Sequence, residues 1–230
     1  MKIITVYRNA AMLVITALVC ASTVSAQKSS RELSIGLRIL GKYATGVYNQ
    51  GASEIVAYDP KTQRLFTVNG ATSKIDVLSI ANPSAPTLLF SIELAPYGRQ
   101  DNSVDVKNGI VAAAVEANVK TDDGKLVFFD ANGNFLNAVT VGALPDMVTF
   151  TPDGKKVLVA DEGEPNNDYT IDPEGSVSVV DLNFGVEYAT VLTAGFSAFS
   201  NNRARFEHSY FRTECNRRSR PRTGVYRCFG

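Results

Sequence analysis

Residues 146–194, DMVTFTPDGKKVLVADEGEPNNDYTIDPEGSVSVVDLNFGVEYATVLTA, decide how this chain folds. MVTF and KVLVA alternate apolar and small polar side chains with the period of two that marks a strand with one buried face. Between them stands Pro152-Asp153-Gly154, a tight-turn sequence with a glycine for the positive-φ position. A third alternating run, SVSVVD, follows an acidic loop, and ATVLTA closes the set. Four short strands joined by turns make one antiparallel sheet.

The same plan occurs twice upstream. Residues 53–94 read SEIVAYDPKTQRLFTVNGATSKIDVLSIANPSAPTLLFSIEL, and residues 102–141 read NSVDVKNGIVAAAVEANVKTDDGKLVFFDANGNFLNAVTV. Each has a strand, a tight turn (DPKTQ, KNG, TPDGK), a second strand running into a polar loop, a third ending near Asp or Ser, and a fourth. A repeat of roughly 45 residues with four strands is the signature of propeller blades. A β-sandwich also spaces short strands regularly; the three aligned third strands, IDVLSI, LVFFD and VSVVD, favour the propeller. The expectation is an all-β chain, an incomplete β-propeller of about three four-stranded blades. In such blades the loop after the second strand and the loop entering the next blade emerge at one end. Polar, carboxylate-rich loops therefore gather there.

Composition bounds the chemistry. The chain has 230 residues and a formal net charge of zero. The charges are segregated: residues 1–200 hold 15 Lys and Arg against 21 Asp and Glu, and residues 201–230 hold eight Arg, no Lys and two Glu. Residues 27–200 contain no Cys, His or Trp. Disulfides, Cys/His zinc sites and Ser-His-Asp triads are thereby excluded from that stretch.

The two ends need separate readings. Lys2 and Arg8, the apolar run AAMLVITALVCA and the small residues Val24-Ser25-Ala26 read as a signal peptide over 1–26, with the mature chain starting near Gln27. An uncleaved anchor is the competing reading, but the apolar run is short for a span. Cys20 lacks the small preceding residue of a lipoprotein site. The chain is therefore expected to be exported, to periplasm, cell surface or medium, with no stable membrane span after cleavage. The Arg-rich, Lys-free segment 201–230, with its abrupt cysteines, reads as an out-of-frame tail rather than a nucleic-acid-binding arm. On that reading His208, Cys215 and Cys228 carry no intended chemistry, and no nucleic acid is a partner.

The acidic loop, ADEGEPNNDYTIDPEG over residues 160–175, carries the candidate site. Asp161, Glu162, Glu164 and Asn166 offer hard oxygen donors of the kind Ca²⁺ accepts, and Asp168 lies just beyond them. Glu116 and Asn118 stand in the equivalent loop of the preceding blade. The spacing matches no EF-hand or repeat-in-toxin loop, and the same residues are ordinary filler of a solvated loop. Phe128 and Phe129 are read as core, and Asn132-Gly133-Asn134 as a hairpin turn.

TFTPDGKKVLVADEGEP followed by GSVSVVDL resembles the YVTN-type propellers, which are WD40-like in architecture. Three longer stretches resemble more closely the choice-of-anchor I domain family. They are YATGVYNQGASEIVAYDPKTQRLFTVNGATSKIDVL, GIVAAAVEANVKTDDGKLVFFD and VGALPDMVTFTPDGKKVLVADEGEPNNDYTIDPEGSVSVVDL, covering about residues 40–195. That group includes mesenchyme-specific cell surface glycoproteins and bacterial proteins labelled alkaline phosphatase. The resemblance implies a secreted propeller. With no His, Cys or nucleophile–base pair in residues 27–200, the expected role is binding an extracellular ligand or surface partner. A Ca-dependent phosphohydrolase, after the label many relatives carry, is the alternative. The resemblance also implies a longer ring, in which RELSIGLRILGKYA, residues 31–44, forms a strand that seals against a last blade.

Overall fold

Alternating sequence and turn chemistry produce three separate four-stranded antiparallel sheets in the computed structural model, which describes residues 36–198. The first holds β1 (Val56–Asp59), β2 (Arg64–Asn69), β3 (Lys74–Ser79) and β4 (Thr87–Glu93). The second holds β5 (Gln100–Lys107), β6 (Ile110–Glu116), β7 (Asp123–Asp130) and β8 (Phe135–Ala143). The third holds β9 (Pro145–Phe150), β10 (Lys156–Asp161), β11 (Ser176–Asp181) and β12 (Thr190–Gly195). Within each, every strand pairs with its neighbours in sequence order, the meander of a propeller blade. A 3-10 turn lies at Val186–Tyr188, between the third and fourth strands of the last blade.

The first hairpin of each blade starts its second strand at Arg64, Ile110 and Lys156, an interval of 46 residues. Asn108 (φ 54°) and Gly109 (φ 81°) turn the second blade's hairpin, and Gly154 (φ 72°) the third's, as the turn sequences require. Asp130 Oδ1 accepts the N–H groups of Asn132 (2.8 Å) and Asn134 (2.9 Å), closing the Asn-Gly-Asn turn.

Because side chains alternate across a strand, the middle blade buries its two faces against two neighbours. Phe66, Val68, Ile75 and Val77 of the first blade pack against Val104, Val111, Ala113, Val115, Val127 and Phe129 of the second. The opposite face of the second blade, Ala112, Ala114, Leu126 and Phe128, packs against Val148, Val157, Val159 and Val180 of the third. Phe128 and Phe129 thus part company into the two cores, as a period of two demands. The first strands line up side by side, β5 lying against both β1 and β9.

The three sheets do not close into a ring among the described residues. Residues 36–46 form no strand, contrary to the sealing strand expected over 31–44. An extended segment becomes a strand only where a neighbouring edge supplies its hydrogen bonds. The signal peptide expected over residues 1–26, the remainder of that segment, and the tail read over 201–230 with His208, Cys215 and Cys228 lie outside the described residues.

Candidate functional site

Second strands end, and the next blade's first strand begins, at the same end of the molecule: Gln100 pairs with Glu116, and Pro145 with Asp161. The 46-residue register makes Asn69, Val115 and Asp161 equivalent, and likewise Glu116 and Glu162.

The six residues singled out from sequence divide into three settings. Asp161 turns inward at the seam between the second and third blades and is 3 % exposed. Its Oδ2 accepts hydrogen bonds from Ser176 (2.9 Å) and Ser178 (2.7 Å), both on β11. Its Oδ1 has no hydrogen-bond partner. Burial raises its pKa, with the two serine hydroxyls opposing. The close approach depends on Gly142 of β8, where a methyl group would stand 2.8 Å from Asp161 Cβ.

Glu116 is also buried but engaged, in an ion pair with Arg99. Asn118 is exposed in the loop beyond it. Glu162, Glu164 and Asn166 belong to the acidic loop, which is tied back to the blade junction. Glu162 N–H donates to Leu144 O (2.9 Å), and Gly163 N–H to Ala143 O (3.1 Å). Gly163 adopts φ 65°, and a methyl group there would lie 2.6 Å from Pro173 O, so only glycine lets the two arms of the loop pass.

Asn166 builds the loop itself. Its Oδ1 accepts the N–H groups of Thr170 (2.9 Å) and Ile171 (3.1 Å), and its Nδ2 donates to Thr170 Oγ1 (2.9 Å). Glu164 pairs with Lys120 from the second blade. Glu162 has its pKa raised by desolvation and by the charges of Asp146 and Glu164, with Lys120 opposing. Glu162 and Glu164 are therefore neighbours, while Asp161 faces the other way and Glu116 is held by Arg99. Among the described residues no group of three or more His, Cys, Asp or Glu is placed to hold one metal ion.

Two features escape the sequence reading. One is a cleft of about 370 Å³ between the second and third blades, lined by Asp123, Thr140, Glu174, Ser176 and Thr193. Asp123 opens β7 and Thr193 lies on β12, so only the packing of two sheets brings them together. The other is Asp101, 1 % exposed at the start of β5. A bulge between Asp101 and Ser103 turns these residues to opposite faces. Ser103 Oγ accepts Val148 N–H from the third blade (3.2 Å), and Asp101 faces Glu54 and Asp76 of the first. An Asp breaking the apolar pattern of a first strand was the signal available for it.

Partial likenesses to solved structures are low in identity. A Xanthomonas campestris gluconolactonase aligns with 46 % of this chain and 34 % of its own, at 16 % identity and TM-score 0.37. A chain of a nidogen/laminin complex aligns with 63 % of this chain and 49 % of its own, at 14 % identity and TM-score 0.42. Hydrazine synthase from Kuenenia stuttgartiensis aligns with 61 % of this chain and 53 % of its own, at 12 % identity and TM-score 0.35. The chain thus spans about half or less of these solved chains. No curated protein matches it. Residues 54–221, most of the sequence, match the choice-of-anchor I domain, and with three propeller blades in that stretch the chain belongs to the choice-of-anchor I domain family.

Proposed function

We propose that this chain is an exported or cell-surface β-propeller that binds an extracellular ligand or partner at its loop-bearing end and does no chemistry itself. The observation that carries the reading is the cleft between the second and third blades. Asp123 and Glu174 give it charged acceptors, and Thr140, Ser176 and Thr193 give it hydroxyls on rigid strands. Such walls suit a ligand rich in hydroxyl or amino groups, held by several hydrogen bonds at once. Residues 27–200 hold no His or Cys to serve as base or thiolate. Export rests on the pattern of residues 1–26, and no helix among the described residues is long and apolar enough to cross a membrane.

The test is a screen of the whole chain against immobilised glycans and basic peptides, repeated with Asp123→Asn and Glu174→Gln. Saturable binding weakened about tenfold by the pair, a loss of one to two charge-assisted contacts, supports the cleft. Binding indifferent to both variants removes it.

A Ca-dependent phosphohydrolase is the second reading, and its support is the grouping of Asp146, Glu162 and Glu164 around Lys120. No three of these carboxylates are placed on one ion, so a metal here would need water or neutral oxygens to complete its shell before it could grip phosphate oxygens and activate water. Turnover of p-nitrophenyl phosphate that disappears with chelator and with Glu162→Gln is its expected result; no turnover in calcium leaves only binding.

A further inference from the structure

The seam between the first and second blades ends in three buried oxygens that have no hydrogen-bond partner: both carboxylate oxygens of Asp101 and Oδ1 of Asn69. Asp101 is 1 % exposed and Asn69 8 %. The two share a neighbour. Asn69 Nδ2 donates to Asp76 Oδ2 at 2.9 Å, and the charges of Asp76 and Glu54 both bear on Asp101. Ser91 Oγ donates to the other oxygen of Asp76 at 2.6 Å.

The cations of the adjoining segments are engaged elsewhere, Arg99 with Glu116 and Lys74 with Glu93. Gly70 leaves room where these elements meet. A methyl group there would lie 3.4 Å from Gly51 O, 3.6 Å from Glu54 Oε2 and 3.8 Å from Gln100 Nε2. The seam is rich in oxygen acceptors and poor in donors.

Buried acceptors left unpaired are costly, and a buried carboxylate without a partner more so. We propose that this seam binds a single hard divalent cation, Ca²⁺, with Asp101 as its charged ligand and Asn69 Oδ1 among its neutral ones. No three of Asp, Glu, His and Cys converge on one point among the described residues. Neutral oxygens and water therefore complete the shell, within the six to eight oxygens that Ca²⁺ accepts in flexible geometry. A proton on Asp101 is the competing remedy, since burial raises its pKa to about 6. It removes the charge but adds a single donor to a seam of acceptors, whereas a cation beside Asp101 balances the charge and draws on the neutral oxygens around it. The site is separate from the acidic loop, and it lies at the end of a largely apolar core between two blades.

The experiment takes the whole chain, stripped of metal with chelator and dialysed, and titrates it with CaCl₂ while thermal unfolding and backbone amide spectra are recorded. The expected result is one saturable site and, at a hundredfold excess over Kd, a rise in Tm of about 5–10 °C. Amide shifts should centre on residues 69–70 and 100–102. Metal-free Asp101→Asn should melt at or above the wild type and no longer respond to Ca²⁺. A wild-type chain whose Tm and spectra ignore Ca²⁺ overturns the proposal. So does a full response retained by Asp101→Asn, or shifts confined to residues 161–168, which would put the ion on the acidic loop. Should the variant fail to fold, the location of the wild-type amide shifts decides the question.

Discussion

The two seams between blades solve one packing problem in different ways. Between the first and second blades the core is apolar, from Phe66 and Ile75 to Val111 and Phe129. At its margins Arg64 Nη1 donates to Ala131 O (2.6 Å) and Ser73 Oγ to Arg99 O (2.9 Å), and its end holds an Asp101 whose side chain has no hydrogen-bond partner. Between the second and third blades, smaller residues such as Ala112, Ala114 and Val157 pack, and side chains reach across to backbone. Asn102 Nδ2 donates to Pro145 O (3.0 Å), Asp105 Oδ2 accepts Phe150 N–H (2.8 Å), and Asn137 Nδ2 donates to Val186 O (2.8 Å). There the buried carboxylate, Asp161, has two serine hydroxyls. Those hydroxyls come from the next strand of its own blade, and they reach only one of its two oxygens.

The largest effect should come from emptying the apolar seam. Phe66→Ala, at a position with no exposure, is expected to destabilise by about 3–5 kcal/mol in chemical denaturation. A loss under 1 kcal/mol would show that the first two blades are not held by their apolar contact.

Acidity should sharpen the comparison next. In the metal-free protein the Asp101 carboxyl has a pKa of about 6 against an ordinary 3.8, so the folded state holds its proton more tightly than the unfolded one. That contribution favours folding as pH falls from 6 towards 4, and is lost as pH rises through 6. The difference between wild type and Asp101→Asn should accordingly change by up to about 3 kcal/mol across that window. A flat difference would mean that Asp101 is not desolvated in solution.

Asp161→Ala should act in the opposite sense to Asp101→Asn. It strands the hydroxyls of Ser176 and Ser178 and is expected to cost about 1–3 kcal/mol at neutral pH. If both variants stabilise the protein, the seams do not differ as their hydrogen bonds indicate. The smallest change belongs to Lys120→Gln, which removes a partly exposed pair with Glu164 and should alter stability by less than about 1 kcal/mol. A larger loss would make the acidic loop part of the seam rather than a cover over it.

How much of this was legible follows from the range of each interaction. Strand alternation, the Pro152-Asp153-Gly154 turn and the split of Phe128 from Phe129 are local, and sequence shows them. The candidate residues were legible as chemistry but not as geometry. Glu116 and Glu162 are register mates, yet one meets Arg99 and the other Asp146, partners that only the folded chain supplies. Asn166 looked like a free donor of oxygen and turned out to organise its own loop. Asp123 and Thr193 share a cleft though 70 positions separate them. The absent strand at 36–46 has the same origin: a strand is a relation between two segments, and one segment alone does not show it.

Ser103 and Asp105 have a consequence for solubility. They stand two residues apart on β5 and accept the N–H groups of Val148 and Phe150, also two apart on β9. β9 is the outermost member of its sheet, and those N–H groups point away from β10. Left free, they would template the addition of a foreign strand, the usual start of edge-to-edge aggregation. Two side chains of the neighbouring blade occupy them instead, so the third blade keeps a separate sheet without offering these groups of its inner margin to another molecule.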